Sequence, residues 1–150
     1  MPSAPDRREP TAPLRYQVVD AWPTEAVVEL YASAGWWRES AAGRAAVGPM
    51  IAGSFAFLVV TEGGRTIAMG RAISDGASDA YIQDVVVLPT HRGRGIGGEV
   101  VARLARHCTE RGLVWIGLVA EPGTAAFYER LGFRVMKDFV PMRYPTPEQP

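Results

Sequence analysis

The chain has 150 residues, 47% of them hydrophobic and 21% charged, which is enough to bury one core without disulfide or metal staples. Its 16 basic and 16 acidic residues cancel, which sets it apart from nucleic-acid binders, whose domains are strongly basic. A single cysteine, Cys108, excludes an internal disulfide, no apolar run approaches the ~18 residues of a membrane span, and no signal-peptide core is visible, so a cytoplasmic protein is expected.

Residues 1–13 contain Pro2, Pro5, Pro10 and Pro13 without apolar periodicity and are expected to be a disordered tail. Residues 146–150 are similar, which leaves one domain over 14–145 with neither a repeat nor a second domain. Residues 14–19 read as a first strand. Thr24 can cap a helix on which Val27, Leu30, Tyr31 and Ala34 recur at helical spacing, and Gly35 breaks it. Trp36, Trp37 and Arg38 follow, then a short helix over 40–47. Residues 54–61 and 65–73 are apolar strands around Glu62-Gly63-Gly64, a strong hairpin turn. A polar turn, 74–80, leads to a strand over 81–88. The next helix, 95–111, carries Ile96, Val100, Leu104 and Cys108 in steps of four, so Cys108 reads as a buried small hydrophobe, and Gly112 ends it. A buried strand over 114–120 passes through Pro122-Gly123 into a short helix with Gly132 at its C′ position. A last strand is expected over 135–144.

The richest stretch is 84–104, where a strand gives way to a basic glycine-rich loop and then a helix. Glycine lets backbone N–H groups approach a ligand, and the positive helix terminus beside them makes an anion site. Arg92 and Arg94 add charge in a geometry that suits phosphate oxygens. The loop is not a Walker A loop, because Gly98 and Glu99 stand where a Lys-Ser or Lys-Thr pair is needed. It is not a dinucleotide fingerprint, which would open an early βαβ unit. It does match Arg/Gln-x-x-Gly-x-Gly/Ala, through Arg92, Gly95 and Gly97.

This loop resembles the acetyl-CoA signature of the GCN5-related N-acetyltransferase (GNAT) superfamily. A second segment, Phe127-Tyr128-Glu129-Arg130-Leu131-Gly132-Phe133, resembles that family's later strand–helix–Gly-Phe signature, in the right order and about 30 residues on. The resemblance covers about residues 14–145. It implies an α/β (α+β) GNAT fold, with a mixed, mostly antiparallel sheet of six to seven strands and about four helices on both faces. The implied cofactor is acetyl-CoA. Its pyrophosphate would lie on Arg92, Gly93, Arg94, Gly95, Ile96, Gly97 and Gly98, and its pantetheine arm along Val85, Val86 and Val87. Phe127 and Tyr128 would complete that site, with the N–H of Val86 or Val87 polarising the carbonyl. Two positions depart from the family pattern: Glu121 stands where Asn is frequent, and Thr124 where Ala is common.

By the same resemblance Tyr128 is the general acid that protonates the departing sulfur; a phenol with pKa about 10 stays protonated near neutrality. An alkyl ammonium of similar pKa must lose a proton before attack, and Asp84 or Glu39 is the candidate base, directly or through water. Asp84 is the carboxylate of its strand; a solvated strand-end role explains it equally well. Histidine has a suitable intrinsic pKa for a base, but His91 reads as an exposed neighbour of the phosphates. The family builds its acceptor pocket partly from the first helices, which gives Tyr31, Trp36, Trp37, Arg38 and Glu39 here. The tryptophans either stack a flat or cationic acceptor or divide between core and rim. LYASAGWWRE resembles a segment of small bacterial members and fixes no substrate. The expectation is acetyl transfer to the amine of a small molecule, with no metal, no nucleic acid and no membrane. Homodimer pairing through the exposed last strand is compatible with the family. An acyl-CoA sensor without turnover and a protein lysine or N-terminal acetyltransferase remain as alternatives.

Overall fold

The computed structural model describes residues 11–147. Its elements run β1 (Leu14–Val19), α1 (Thr24–Ser33), α2 (Ala41–Gly53), β2 (Ala56–Glu62), β3 (Arg65–Ile73), β4 (Asp79–Val87), α3 (Ile96–Thr109), β5 (Trp115–Gly117) and α4 (Ala125–Glu129). One five-stranded sheet has the order β1-β2-β3-β4-β5, antiparallel except where β5 joins β4 in parallel. The expected tail lies almost wholly outside the described residues.

β2 and β3 form the centre because their residues are apolar without alternation. Ala56 to Thr61 and Thr66 to Gly70 are all buried, which requires cover on both faces of the sheet. Gly63 and Gly64 join them at φ 55° and 82°, the left-handed pair that a two-residue hairpin turn demands. α3 lays Ile96, Val100, Val101, Leu104 and Cys108 against the sheet, all at or below 1% exposure. Gly70 permits the close approach: a Cβ there would lie 2.7 Å from Val100 Cγ1 and 3.1 Å from Leu104 Cδ1. α1 contributes Val27, Val28 and Leu30, and α2 contributes Val47 and Ile51.

Two features of β4 shape the cleft beside it. Its register with β3 passes from Met69↔Val86 to Arg71↔Gln83, so Asp84 and Val85 together face Gly70 in a bulge. Asp84 takes φ 55° there, a left-handed conformation that aspartate tolerates better than most residues. On its other edge β4 pairs with β5 only from Asp79↔Trp115 to Tyr81↔Gly117. Beyond Tyr81 the two chains part, and β4 continues to Val87 without a β5 partner.

Several expectations are corrected. The sheet has five strands among the described residues, not six or seven. The strand expected over 114–120 shortens to β5, because the bulge bends β4 away and leaves nothing for later residues to pair with. The strand expected over 135–144 is absent. A turn at 137–138 puts Asp138 at φ 64°, and Pro141 and Pro145 lack the N–H that a ladder needs. Val135, Phe139, Val140, Met142 and Tyr144 lie exposed instead, and the expected pairing surface has no strand behind it. Thr24 does not cap α1, where Pro23 holds the N-cap position without a side-chain bond. α2 is longer than 40–47. Ser40 Oγ caps it by accepting from Gly43 N–H at 3.0 Å, and its buried Ile51 carries it past Pro49. Among the described residues no helix is long and apolar enough to cross a membrane, and no cluster of ligating side chains could hold a metal.

Candidate active site

The parting of β4 and β5 opens a cleft of about 790 Å³, within the usual range for small-molecule sites. One wall is β4 from Tyr81 to Val87. The opposite wall is Leu118, Val119, Phe127 and Tyr128 from the chain after β5 and from α4. The floor at the Val87 end is the loop His91 to Gly98 with the start of α3. Where the strands part, β4 has main-chain polar groups on the cleft side that no neighbouring strand pairs, which suits an amide-bearing arm.

The loop end suits a polyanion. Gly95 is the N-cap residue of α3 at φ 75°, with no side-chain cap, and Glu99 N–H returns to Gly95 O at 3.1 Å. The preceding amides of the first turn have no intrahelical acceptor, and Ile96, Gly97 and Gly98 line the cleft. A Cβ on Gly93 or Gly95 would meet nothing within 4 Å, so the backbone lies open to a ligand. Arg92 Nε donates to Val87 O at 3.0 Å, which fixes that guanidinium at the cleft. Arg94 is directed elsewhere. Its two terminal nitrogens donate to Glu62 at 3.2 and 2.7 Å, outside the cleft lining. His91 shares Glu62 through Nε2 at 3.0 Å, and its Nδ1 lies 2.7 Å from Thr90 Oγ1. Arg94 first, and His91 after it, hold the Glu62 carboxyl below its usual range.

Asp84 and Tyr128 both line the cleft. Asp84 Oδ2 accepts from Arg71 Nε at 2.6 Å and from the Tyr31 hydroxyl at 2.7 Å. Burial, and then the Asp84 charge, push the Tyr31 phenol well above its ordinary value, so it stays a donor. Tyr128 stands edge-on to Phe127 and Phe133, with centroids 4.9 and 5.9 Å away. Burial raises its pKa, and Glu121 raises it further.

The matching family model, that of the acetyltransferase (GNAT) family, covers residues 16–133. The chain belongs to the GNAT family. It is 39% identical over 80 residues to a serotonin N-acetyltransferase 2, chloroplastic, from Oryza sativa subsp. japonica, an alignment covering 53% of this chain and 40% of that relative. The chain thus spans well under half the length of that relative. A probable acetyltransferase of unknown function from meticillin-resistant Staphylococcus aureus superposes with TM-score 0.76 at 20% identity, over 89% of this chain and 99% of its own. AAC(6')-Iy in complex with a bisubstrate analog, CoA-S-monomethyl-acetylneamine, gives TM-score 0.73 at 18% identity, over 90% and 100%. At those identities the two structures speak for the fold.

GNAT enzymes draw on acetyl-CoA, and the residues present fit it: an open glycine loop with free amides, a fixed Arg92, and an unpaired strand edge long enough for an extended arm. The residues singled out in the sequence separate on this frame. Val85, Val86, Val87, Arg92, Gly93, Gly95, Ile96, Gly97, Gly98, Phe127, Tyr128, Asp84 and Trp36 line one cleft. Tyr31 lies behind Asp84. Trp37 stacks on Tyr31 at 6.3 Å and donates to Glu39 Oε2 at 3.0 Å. Glu39, the other candidate base, is held by Arg44 at 2.6 Å outside the cleft lining, and Arg44 also reaches Glu25. Glu121 and Thr124, the two departures from the family pattern, both line the cleft. Arg71, which holds Asp84, is a site residue beyond those singled out in the sequence. Its signal is a lone charge inside the apolar run TIAMGRAI, which must find a partner once that strand is buried.

Proposed function

We propose that this protein transfers the acetyl group of acetyl-CoA to the primary amine of a small molecule, by direct attack with both substrates bound. The observation that carries this reading is one continuous cleft with the glycine loop at one end, the unpaired edge of β4 along it, and Asp84 and Tyr128 on its walls. Bound acetyl-CoA supplies an acetyl group activated as a thioester. The first-turn amides of α3 and Arg92 hold its pyrophosphate, and the N–H of Val86 or Val87 polarises the thioester carbonyl. Asp84 takes the ammonium proton, directly or through water, so that a lone pair is free to attack. The C–N bond forms, the C–S bond breaks, and Tyr128 gives its proton to the departing sulfur. Burial keeps that phenol protonated, which suits a donor better than a base. Cytoplasmic location stays part of this proposal, the rice relative being named as chloroplastic.

The test begins with calorimetric titration of acetyl-CoA into the wild-type protein and into an Arg92→Ala, Gly95→Ala double variant. Micromolar binding by the first, weakened tenfold or more in the second, is expected, followed by thiol release when amines are added. Binding without thiol release from any amine would favour a sensor. Acetylation of intact proteins in preference to small amines would favour a protein acetyltransferase.

A further inference from the structure

The end of the cleft away from the glycine loop has a composition of its own. Its lining comes from Ala34 and Trp36, just after α1, and from Tyr81, Ile82, Gln83 and Asp84 of β4. Trp36 is 45% exposed and Tyr81 47%, so two large aromatic side chains stand open to solvent there. Tyr81 is backed by Trp115, with centroids 5.1 Å apart, which extends the aromatic wall to β5. Trp36 is tied to the same end, because its N–H donates to Tyr31 O at 3.0 Å, and Tyr31 in turn holds Asp84.

The charge at this end is as informative. None of these lining residues is cationic, and Asp84 is the carboxylate among them. Arg71 is engaged by that carboxylate, and Arg92 and His91 lie at the opposite end with the loop. A sugar phosphate would find no cation to meet its phosphate. Arg71 and Tyr31 both bond Oδ2 of Asp84, so a single ammonium with a flat apolar body can meet Oδ1 as well as a stacking surface. Tyr81 and Asp84 are three residues apart, about 10 Å at the ~3.3 Å rise of a strand. That spacing suits a ring joined to its nitrogen by a short chain.

Resting on the transferase reading above, we infer that the acceptor is an arylalkylamine: its ring lies against Trp36 and Tyr81 and its ammonium points to Asp84. Trp36 is then a specificity-determining residue.

The experiment uses the full chain with saturating acetyl-CoA and follows thiol release from tryptamine, tyramine and phenethylamine. Hexylamine, glucosamine 6-phosphate, an aminoglycoside and a lysine peptide serve as competitors. The expected result is a kcat/KM for the best arylalkylamine at least tenfold above hexylamine, with the anionic sugar inert. Trp36→Ala is expected to lower that preference about fivefold or more through KM, and Trp36→Phe to keep most of it, as loss and retention of an aromatic contact would do. Acetyl-CoA titration and circular dichroism of each variant separate a lost contact from a lost fold. Hexylamine, the peptide, the aminoglycoside or the sugar phosphate equalling the aromatic amines would overturn the inference, as would an unchanged preference in Trp36→Ala or bound acetyl-CoA with no amine turned over. Failure to bind acetyl-CoA at all would instead sink the transferase reading beneath it.

Discussion

Arg71 Nε lies 2.6 Å from Asp84 Oδ2, across the bulge where Asp84 adopts φ 55°. The guanidinium comes from β3 and the carboxylate from β4, with side chains 18% and 22% exposed. Because Tyr31 bonds the same oxygen, three elements converge on one atom of the cleft wall. Arg71→Met leaves a half-buried carboxylate without its partner, at an expected cost of about 1–2 kcal/mol, less than for a fully buried pair. Urea unfolding measures this. Turnover is expected to fall about tenfold or more, since Asp84, the proposed base, loses the group that orients it. Arg71→Lys, which keeps the charge but not the planar fork, should recover part of both. Wild-type kcat in Arg71→Met would remove Asp84's orientation from the mechanism.

Tyr128→Phe keeps the ring against Phe127 and Phe133 and deletes the hydroxyl, the proposed proton donor. Turnover is expected to drop about 10²-fold or more, the usual scale of general acid catalysis, with acetyl-CoA affinity changed less than threefold. The pH profile supplies the sign. An acid works while protonated, so activity is held below the folded pKa and lost as pH rises through it. Burial and Glu121 raise that pKa above the ordinary 10, so the alkaline limb due to Tyr128 should lie above pH 10 in wild type. A tyrosine-dependent fall near neutrality would contradict this assignment.

The two loop arginines should part company. Arg92 is fixed at the cleft by Val87 O, whereas both ends of Arg94 go to Glu62. Arg92→Ala is expected to weaken acetyl-CoA binding about tenfold by calorimetry. Arg94→Ala should weaken it less than threefold and lower the melting temperature modestly. Equal losses in the two variants would return Arg94 to the phosphate site.

Gly70→Ala tests the seat of α3. The added methyl meets Val100 Cγ1 at 2.7 Å, and a β-branched side chain has little freedom to yield. A loss of about 1–3 kcal/mol is expected in chemical unfolding, as for other overpacked cores. The cleft should suffer too, because the same methyl comes within 3.3 Å of Val85 Cγ2 in the bulge. Unchanged stability would mean that the helix lifts off the sheet at no cost.

Periodicity made the centre of the fold legible. The apolar runs on either side of Gly63-Gly64 declared a buried hairpin, and the four-residue steps of Ile96, Val100, Leu104 and Cys108 declared α3. The glycine loop and FYERLGF declared the family. The bulge was hidden, since it depends on what Gly70 faces across the sheet. Arg71 and Asp84 are neighbours only because β3 and β4 pair. The final strand was misread because Val135, Phe139 and Val140 supply apolar content, while the turn at 137–138 and Pro141 break the ladder that content implies. Arg94 looked like Arg92 in the sequence; only the position of Glu62 at the end of β2 separates them.

The parting of β4 and β5 divides the molecule's vocabulary in two. The donor half of the cleft is written mainly in main chain: loop amides, a helix terminus, an unpaired strand edge. Such features survive most side-chain replacement. The end proposed for the acceptor is written in side chains, such as Trp36, Tyr81 and Gln83. On the proposed reading, the acceptor can therefore change by side-chain exchange while the main-chain features that hold the acyl donor stay the same. Redesign of this chain toward a new acceptor can begin at those three positions without touching the loop.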